Sequence, residues 1–244
     1  MTWRTSLAGL LGLILSPQVA GAVECERVTH RGAAFTICKV DVIKEHVRLF
    51  HSYNGEVLGS FPRVAQHLES EGKTLTFAMN AGMYHNDLSP VGLFIEEGVE
   101  TARIVTSDGP GNFGLLPNGV FCVRSGRADV IESLRFVEEQ PNCRFATQSG
   151  PMLVIDGKLH PRFLEDSDSI HIRNGVGTSR DGQTVVFAIS EDRINFHTFG
   201  TLFRDVLKLP NALYFDGKVS RLYAPQMNRH DRGFPMGPIV GVVE

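Results

Sequence analysis

The stretch Asn211-Ala-Leu-Tyr-Phe-Asp216-Gly217-Lys-Val-Ser-Arg-Leu-Tyr223 runs four strand-forming residues, Ala212–Phe215, straight into a carboxylate and a glycine. A short, continuous apolar run of this kind fits a buried strand. Asp-Gly is also an ordinary turn signal, so one reading is a hairpin corner. The other places Asp216 at the end of a core strand, where a rigid element holds it for chemistry. The same grammar, a β-rich run closed by Gly, Asn or Asp, recurs along the chain. Candidate strands are Ala34–Val40, Val47–His51, Leu75–Met79, Gly92–Ile95, Arg103–Thr106, Val120–Val123, Met152–Ile155, Val185–Ile189 and Ala212–Phe215. Asn54-Gly55, Glu97-Gly98, Asn118-Gly119, Asp156-Gly157 and Asp181-Gly182 punctuate them as turns.

Helical periodicity is confined to two stretches. Phe61, Val64, Ala65 and Leu68 fall at i, i+3, i+4, i+7, with Ser60 placed to cap and Pro62 tolerated in the first turn. Phe199, Leu202, Phe203, Val206 and Leu207 repeat the pattern, with Thr198 as the expected cap and Pro210 as the stop. A doubly wound sheet would need a helix after almost every strand. The expectation is therefore α+β: a strand-rich mixed sheet with a few amphipathic helices in a single domain.

The chain has 244 residues and a formal net charge of -3, which gives no support for nucleic-acid or anionic-membrane binding. Met1-Thr-Trp-Arg4, the apolar run Leu7–Leu15 and Ala20-Gly21-Ala22 together read as a secretory signal peptide, residues 1–22. The apolar run is too short to span a bilayer, which needs about 20 residues. A soluble exported protein, periplasmic or extracellular, is expected to begin near Val23. The remaining chain of about 220 residues can bury a sizeable core. Its four cysteines suggest two disulfides. Cys25–Cys38 and Cys122–Cys143 are the chosen pairs, because each flanks a plausible hairpin. Zinc is the competing use, but no C-x-x-C or H-x3-H spacing appears.

Several motifs carry chemistry. Gly109-Pro-Gly111-Asn-Phe-Gly114 matches G-x-G-x-x-G in letters, yet Leu-Leu-Pro117 follows it where a dinucleotide fingerprint must open a helix. Ser149, in Thr-Gln-Ser-Gly-Pro, could form a triad with His171 and Asp216, although G-x-S-x-G is absent. Arg173 leads into Asn174-Gly175-Val-Gly177, where its fork suits an anion and the glycines admit a ligand closely; a surface pairing with Glu165, Asp166 or Asp168 is the alternative. Asn80-Ala-Gly-Met-Tyr84-His85-Asn86-Asp87 follows the strand Leu75–Met79 and either lines a cleft or satisfies its own backbone.

Asn80-Ala-Gly-Met-Tyr84, Pro90-Val-Gly-Leu-Phe94, Gly111-Asn-Phe113, Pro117-Asn-Gly-Val-Phe121, Thr147-Gln-Ser-Gly-Pro through Asp156-Gly157, Arg173-Asn-Gly-Val-Gly177 and Ala212-Leu-Tyr-Phe-Asp-Gly217 occur in this order. Together they resemble the phosphodiester glycosidase (uncovering-enzyme catalytic domain) family, in its exported bacterial branch. The resemblance covers almost all of residues 23–244 and implies one domain of that kind. Characterised eukaryotic members of the family remove N-acetylglucosamine joined through phosphate to another sugar. By resemblance, Asn80 matches the family's strand-end Asn, Arg173 its Arg before a Gly, and Asp216 its Asp-Gly-Gly segment. Ala81 stands where the family often has Gly. Lys218 replaces the second Gly after Asp216 and bears on substrate identity.

A sugar–phosphate linkage leaves as a stable anion, so the two carboxylates of an ordinary glycosidase are not both required. One essential carboxylate and a cationic clamp are expected. Arg173 would hold the phosphate as negative charge develops. Asp216 would act as base toward water or face the oxocarbenium-like sugar, and His85 or His171 would shuttle a proton. Asn80, Tyr84, Asn112, Asn118, Ser149, Asn174, Gly175 and Gly217 complete the expected substrate-binding set. No cofactor is implied, and no metal-ligand signature accompanies Asp216. Arg173→Ala is expected to cut turnover far more than stability. The rival readings are a non-catalytic carbohydrate-binding envelope protein and the Ser149/His171/Asp216 hydrolase.

Overall fold

Side-chain alternation in the strand Asn211–Asp216 sends Leu213 and Phe215 to one face and Ala212 and Tyr214 to the other, and both faces are covered. That double burial explains the continuous apolar run. The structure, a computed structural model, describes residues 23–244; the expected signal peptide, residues 1–22, lies outside the described residues.

Three antiparallel sheets share one core. The largest has seven strands in the order Glu24–His30, Ala33–Asp41, Thr184–Ser190, Asn174–Thr178, Asn211–Asp216, Met152–Ile155, Lys158–Leu159. A five-stranded sheet runs Arg127–Glu132, Gly119–Arg124, Phe145–Ser149, Phe94–Glu96, Val99–Ala102. The other runs Arg229–His230, Leu222–Ala224, Leu75–Asn80, Ile239–Val243, His46–Phe50. Every pairing among the described residues is antiparallel. The protein is thus α+β and strand-rich as expected, its strands divided among these three sheets and a two-stranded ribbon of Ser52–Tyr53 and Glu56–Val57. Phe187 from the first sheet lies 4.9 Å from the Phe77 ring of the third and 5.9 Å from Phe121 of the second. All three rings are fully buried.

Helix Phe61–Ser70 buries Phe61, Val64 and Leu68 as the periodicity requires, though Ser60 makes no side-chain cap bond. The second expected helix starts earlier than Thr198. Asn195 caps it, its Oδ1 accepting from Thr198 N at 2.9 Å, and Phe196–Thr201 then winds into a π-helical turn, Leu202–Val206. Phe199 and Phe203 cover the Ala212 and Tyr214 face of the large sheet. A third helix, Ser133–Glu139, was not expected; it is too short to show a repeat, and the Glu132 carboxylate caps it.

Residues 103–106 do not form the expected strand. Val99–Ala102 takes the edge position instead, and Val105 exchanges both backbone groups with the Gln148 side chain. Glu24–His30, Arg127–Glu132 and Ile239–Val243 are strands that sequence patterning missed. Both chosen disulfides form, Cys25–Cys38 across paired strand positions and Cys122–Cys143.

Candidate active site

The strand carrying Asp216 does not end in regular register. Thr178 pairs with Asn211, Gly177 with Ala212, Val176 with Leu213 and Gly175 with Tyr214, but Asn174 pairs with Asp216. Phe215 is the extra residue of a β-bulge, a device that re-aims a side chain. Strict alternation would leave Asp216 on the helix-covered face with Tyr214. The bulge turns it toward Asn174, on the face that Val176 shares with the central core.

Two buried amides join the sheets at this point. Asn80, at the end of Leu75–Asn80, donates from Nδ2 to Asn174 Oδ1 at 3.2 Å. Asn174 Nδ2 returns bonds to Asn80 Oδ1 and O, both 3.0 Å. Asn174 Oδ1 also accepts from Asp216 N at 3.1 Å, and Asn80 Oδ1 from Arg221 N at 2.9 Å. Ser220 Oγ donates to Asp216 O at 2.9 Å. These amides therefore hold the backbone around Asp216 rather than present free groups to a ligand.

The carboxylate itself is held by backbone amides. Oδ1 accepts from Gly217 N at 2.6 Å and Lys218 N at 2.9 Å, and the Val219 amide also favours the charged carboxylate. Burial pushes its pKa above the usual carboxylate range, and these amides and the Lys218 charge oppose the shift without reversing it. Two phenols flank it. Burial and then the Asp216 charge push the Tyr84 pKa upward. Tyr214 is pushed up as well, chiefly by burial. A side chain at Gly217 would clash with the Tyr214 hydroxyl, so glycine is required by close approach.

Arg173 sits behind this group, fully buried. Its Nε donates to Ile194 O at 2.8 Å and Nη2 to Ser169 O at 2.7 Å. The guanidinium lies 3.7 Å from the centre of the Phe196 ring and 5.4 Å from that of Tyr214. The Tyr214 hydroxyl faces Arg173 and the Asn112 amide, yet neither it nor Arg173 Nη1 has a partner of hydrogen-bonding geometry. Removing Arg173 would take one donor from Ile194 O, which keeps the His171 N–H, and one from Ser169 O, on an exposed residue, and would leave a cavity against Phe196 and Tyr214. Arg173→Ala therefore probes stability through the lost buried packing as well as turnover.

The other expected residues divide. His171 is exposed beside Gly217, its backbone paired with Ile194; burial, then Arg173 and Arg193, lower its pKa and favour the neutral ring. Asn112 is exposed, between Gly111 and the buried Phe113. Tyr84 is half-buried. Three residues are enclosed. Ser149 Oγ donates to Phe215 O at 2.9 Å, Asn118 Nδ2 to Phe113 O at 3.2 Å, and Gly175 has no room for a side chain against Leu213 O. Ser149 is fully buried and makes no bond to His171, so the triad has no presented nucleophile. His85 is exposed in a turn closed by its own N–H to Ser89 O at 2.8 Å, with no bond to the Asp216 cluster among the described residues. Tyr214 and Arg221 are the members that sequence reasoning missed. Tyr214 looked like one more core residue, and Arg221 follows no motif. A cleft of about 260 Å³ at Arg127, Arg135 and Asp156 lies toward the opposite end of the same strand, at Asn211.

The sequence profile of the phosphodiester glycosidase family matches residues 73–242. The chain is 32% identical over 214 residues to the protein YigE of Escherichia coli (strain K12), across 87% of this chain and 83% of that one. Among solved structures, the zebrafish N-acetylglucosamine-1-phosphodiester alpha-N-acetylglucosaminidase catalytic domain, auto-inhibited by its pro-peptide, matches with a TM-score of 0.61 and 12% identity over 90% of this chain and 81% of that one. A hypothetical protein from Synechocystis also matches with a TM-score of 0.61 and 12% identity, over 91% of this chain and 61% of that one. At these identities the likeness to the two structures is one of fold.

Proposed function

The chain belongs to the phosphodiester glycosidase family, and from that premise we propose an exported hydrolase that cleaves a glycosyl-1-phosphodiester linkage in a glycan or cell-envelope substrate. The observation that carries the reading is the bulge-aimed Asp216, with Oδ1 fixed by the Gly217 and Lys218 amides and its pKa raised by burial. A raised pKa brings a carboxylate closer to the working range of a general base. Asp216 would take a proton from the water that attacks the anomeric carbon. The departing phosphate is already a stable anion, so cations replace the acid of an ordinary glycosidase pair. Lys218 supplies an exposed cation next to the carboxylate. Arg173, with two nitrogens bound to carbonyls, is a buried cation packed against the Phe196 and Tyr214 rings. His171, neutral and exposed, is placed for proton exchange with solvent. The two disulfides support export, since such bonds persist in oxidising compartments.

Sugar-1-phosphodiesters incubated with the protein should release free sugar and a phosphomonoester. Asp216→Ala should lose about 10²–10⁴-fold in turnover, the range of a general base. Binding of these compounds without product release would instead favour a carbohydrate-binding protein. Labelling of Ser149 by an organophosphonate would restore the serine-hydrolase reading.

A further inference from the structure

The rim of the site is built by a loop that none of the motifs contains. Arg232-Gly-Phe234-Pro-Met-Gly237 approaches the Asp216 cluster from the side of Tyr84 and Arg221. Three contacts tie it there. Gly237 lies against the Tyr84 side chain so closely that a Cβ would clash with it. Gly233 lies against the Arg221 guanidinium in the same way. Arg221 Nη1 donates to Phe234 O at 2.5 Å, while its backbone N–H is held by Asn80 Oδ1 at 2.9 Å. The arginine is thus fixed at both ends, one in the amide pair beneath Asp216 and one in the rim loop.

Its charge is uncompensated. No carboxylate lies within 4.0 Å of Arg221 among the described residues, whereas Arg229 nearby in sequence is bound to both Glu191 and Asp231. The Tyr84 phenol lies near both charges, Asp216 pushing its pKa up and Arg221 pulling it down. A fixed guanidinium that is short of an anion and near the same tyrosine as the carboxylate has the geometry of an oxyanion holder. Beside it Phe234 is 86% exposed, more than any other large apolar side chain among the described residues. Holding such a ring in water has a cost of hydration that a bound apolar face would remove.

We propose that Arg221 and Phe234 form the leaving-group subsite, with the guanidinium gripping the phosphate oxygens and the phenylalanine ring covering an apolar face of the alcohol esterified to it. This rests on the glycosidase reading for its place in a reaction, and it adds a selectivity: leaving groups with a broad apolar face, a pyranose ring or an alkyl chain, bind better than a methyl ester. Gly233 is part of the device, because its missing side chain is what lets the guanidinium lie over the loop.

The test is binding, so that it stands apart from turnover. Phenyl phosphate and methyl phosphate are titrated into the full mature chain by calorimetry. The wild type should bind phenyl phosphate more tightly than methyl phosphate. Arg221→Ala should weaken both by about tenfold or more, the loss of a charge-assisted contact, with Arg221→Lys recovering part of it. Gly233→Ala, whose Cβ would displace the guanidinium without removing it, should weaken both esters less than Arg221→Ala does. Phe234→Ala should abolish only the preference for the phenyl ester. Cyclohexyl and decyl phosphates then distinguish a ring face from a chain. No phosphate binding by the wild type, binding within twofold of wild type in Arg221→Ala, or an unchanged preference in Phe234→Ala would each overturn the proposal. A wild type that shows the binding pattern but cleaves no sugar phosphodiester would leave the subsite standing and remove the hydrolase.

Discussion

Asp216 sits under opposed influences, and their balance has a sign that can be measured. Burial raises its pKa while the Gly217 and Lys218 amides favour the charged form, and the net direction is upward. A folded-state pKa above the unfolded value means the native protein binds the proton more tightly than the unfolded chain does. That stabilisation is complete below the unfolded carboxylate value, about 3.9, and is lost as pH rises through the folded value. Asp216→Asn removes the charge and keeps an oxygen for the two amides. Its Tm should therefore exceed that of the wild type near neutral pH, with the gap closing at about pH 3. A Tm difference that grows toward acid would give the shift the opposite sign. The residue's type and neighbours in sequence announced a candidate. The burial that tunes it depends on how the strands and loops around it pack, which no local pattern states.

At the scale of elements, the register decides more than the strand assignments do. Asn211–Asp216 was legible as a buried strand because its apolar run is short and bounded by turn chemistry. Its bulge at Phe215 was not legible, since a bulge is a relation between two strands and the glycine-rich Asn174–Gly177 run shows no strand pattern. The helix after Asn195 shows the same limit in another form. Asn195 does double service: Oδ1 caps the helix through Thr198 N, and Nδ2 donates to Glu165 O at 2.9 Å and Ser167 O at 3.2 Å. It therefore steadies the segment whose Ser169 carbonyl holds Arg173. Asn195→Ala should cost about 1 kcal/mol from the lost cap, with more from the two carbonyl bonds. Hydrogen exchange should quicken in residues 164–171 as well as in the first helical turn. Exchange confined to the helix would separate the cap from the site.

For the whole molecule, the rings of Phe77, Phe121 and Phe187 are where the three sheets meet. Asn80 belongs to one sheet and Asn174 and Asp216 to another, so the site exists only while the sheets stay docked. Phe187→Ala should cost about 3–5 kcal/mol, the range for a buried phenylalanine, with Phe187→Leu costing less. Urea unfolding followed by fluorescence and by activity should show one coincident transition moved to lower denaturant. Activity lost well before the fluorescence change would mean that the sheets part in separate steps.

The amino-acid sequence on its own determined the strand-rich class, the first helix, both disulfides and the family. These depend on alternation, turn residues and motif order, which are written locally along the chain. Tertiary structure alone decided that Asn80 and Asn174 hold backbone in place, that Ser149 is enclosed, that Arg173 is a buried support, that Tyr214 and Tyr84 stand near Asp216, and that Arg221 reaches Tyr84. Each of those depends on which sheet face a residue meets and how much water remains there, and on a one-residue slip between strands far apart in the chain. Local patterning carries no term for such a slip, because it arises only when the two strands pair.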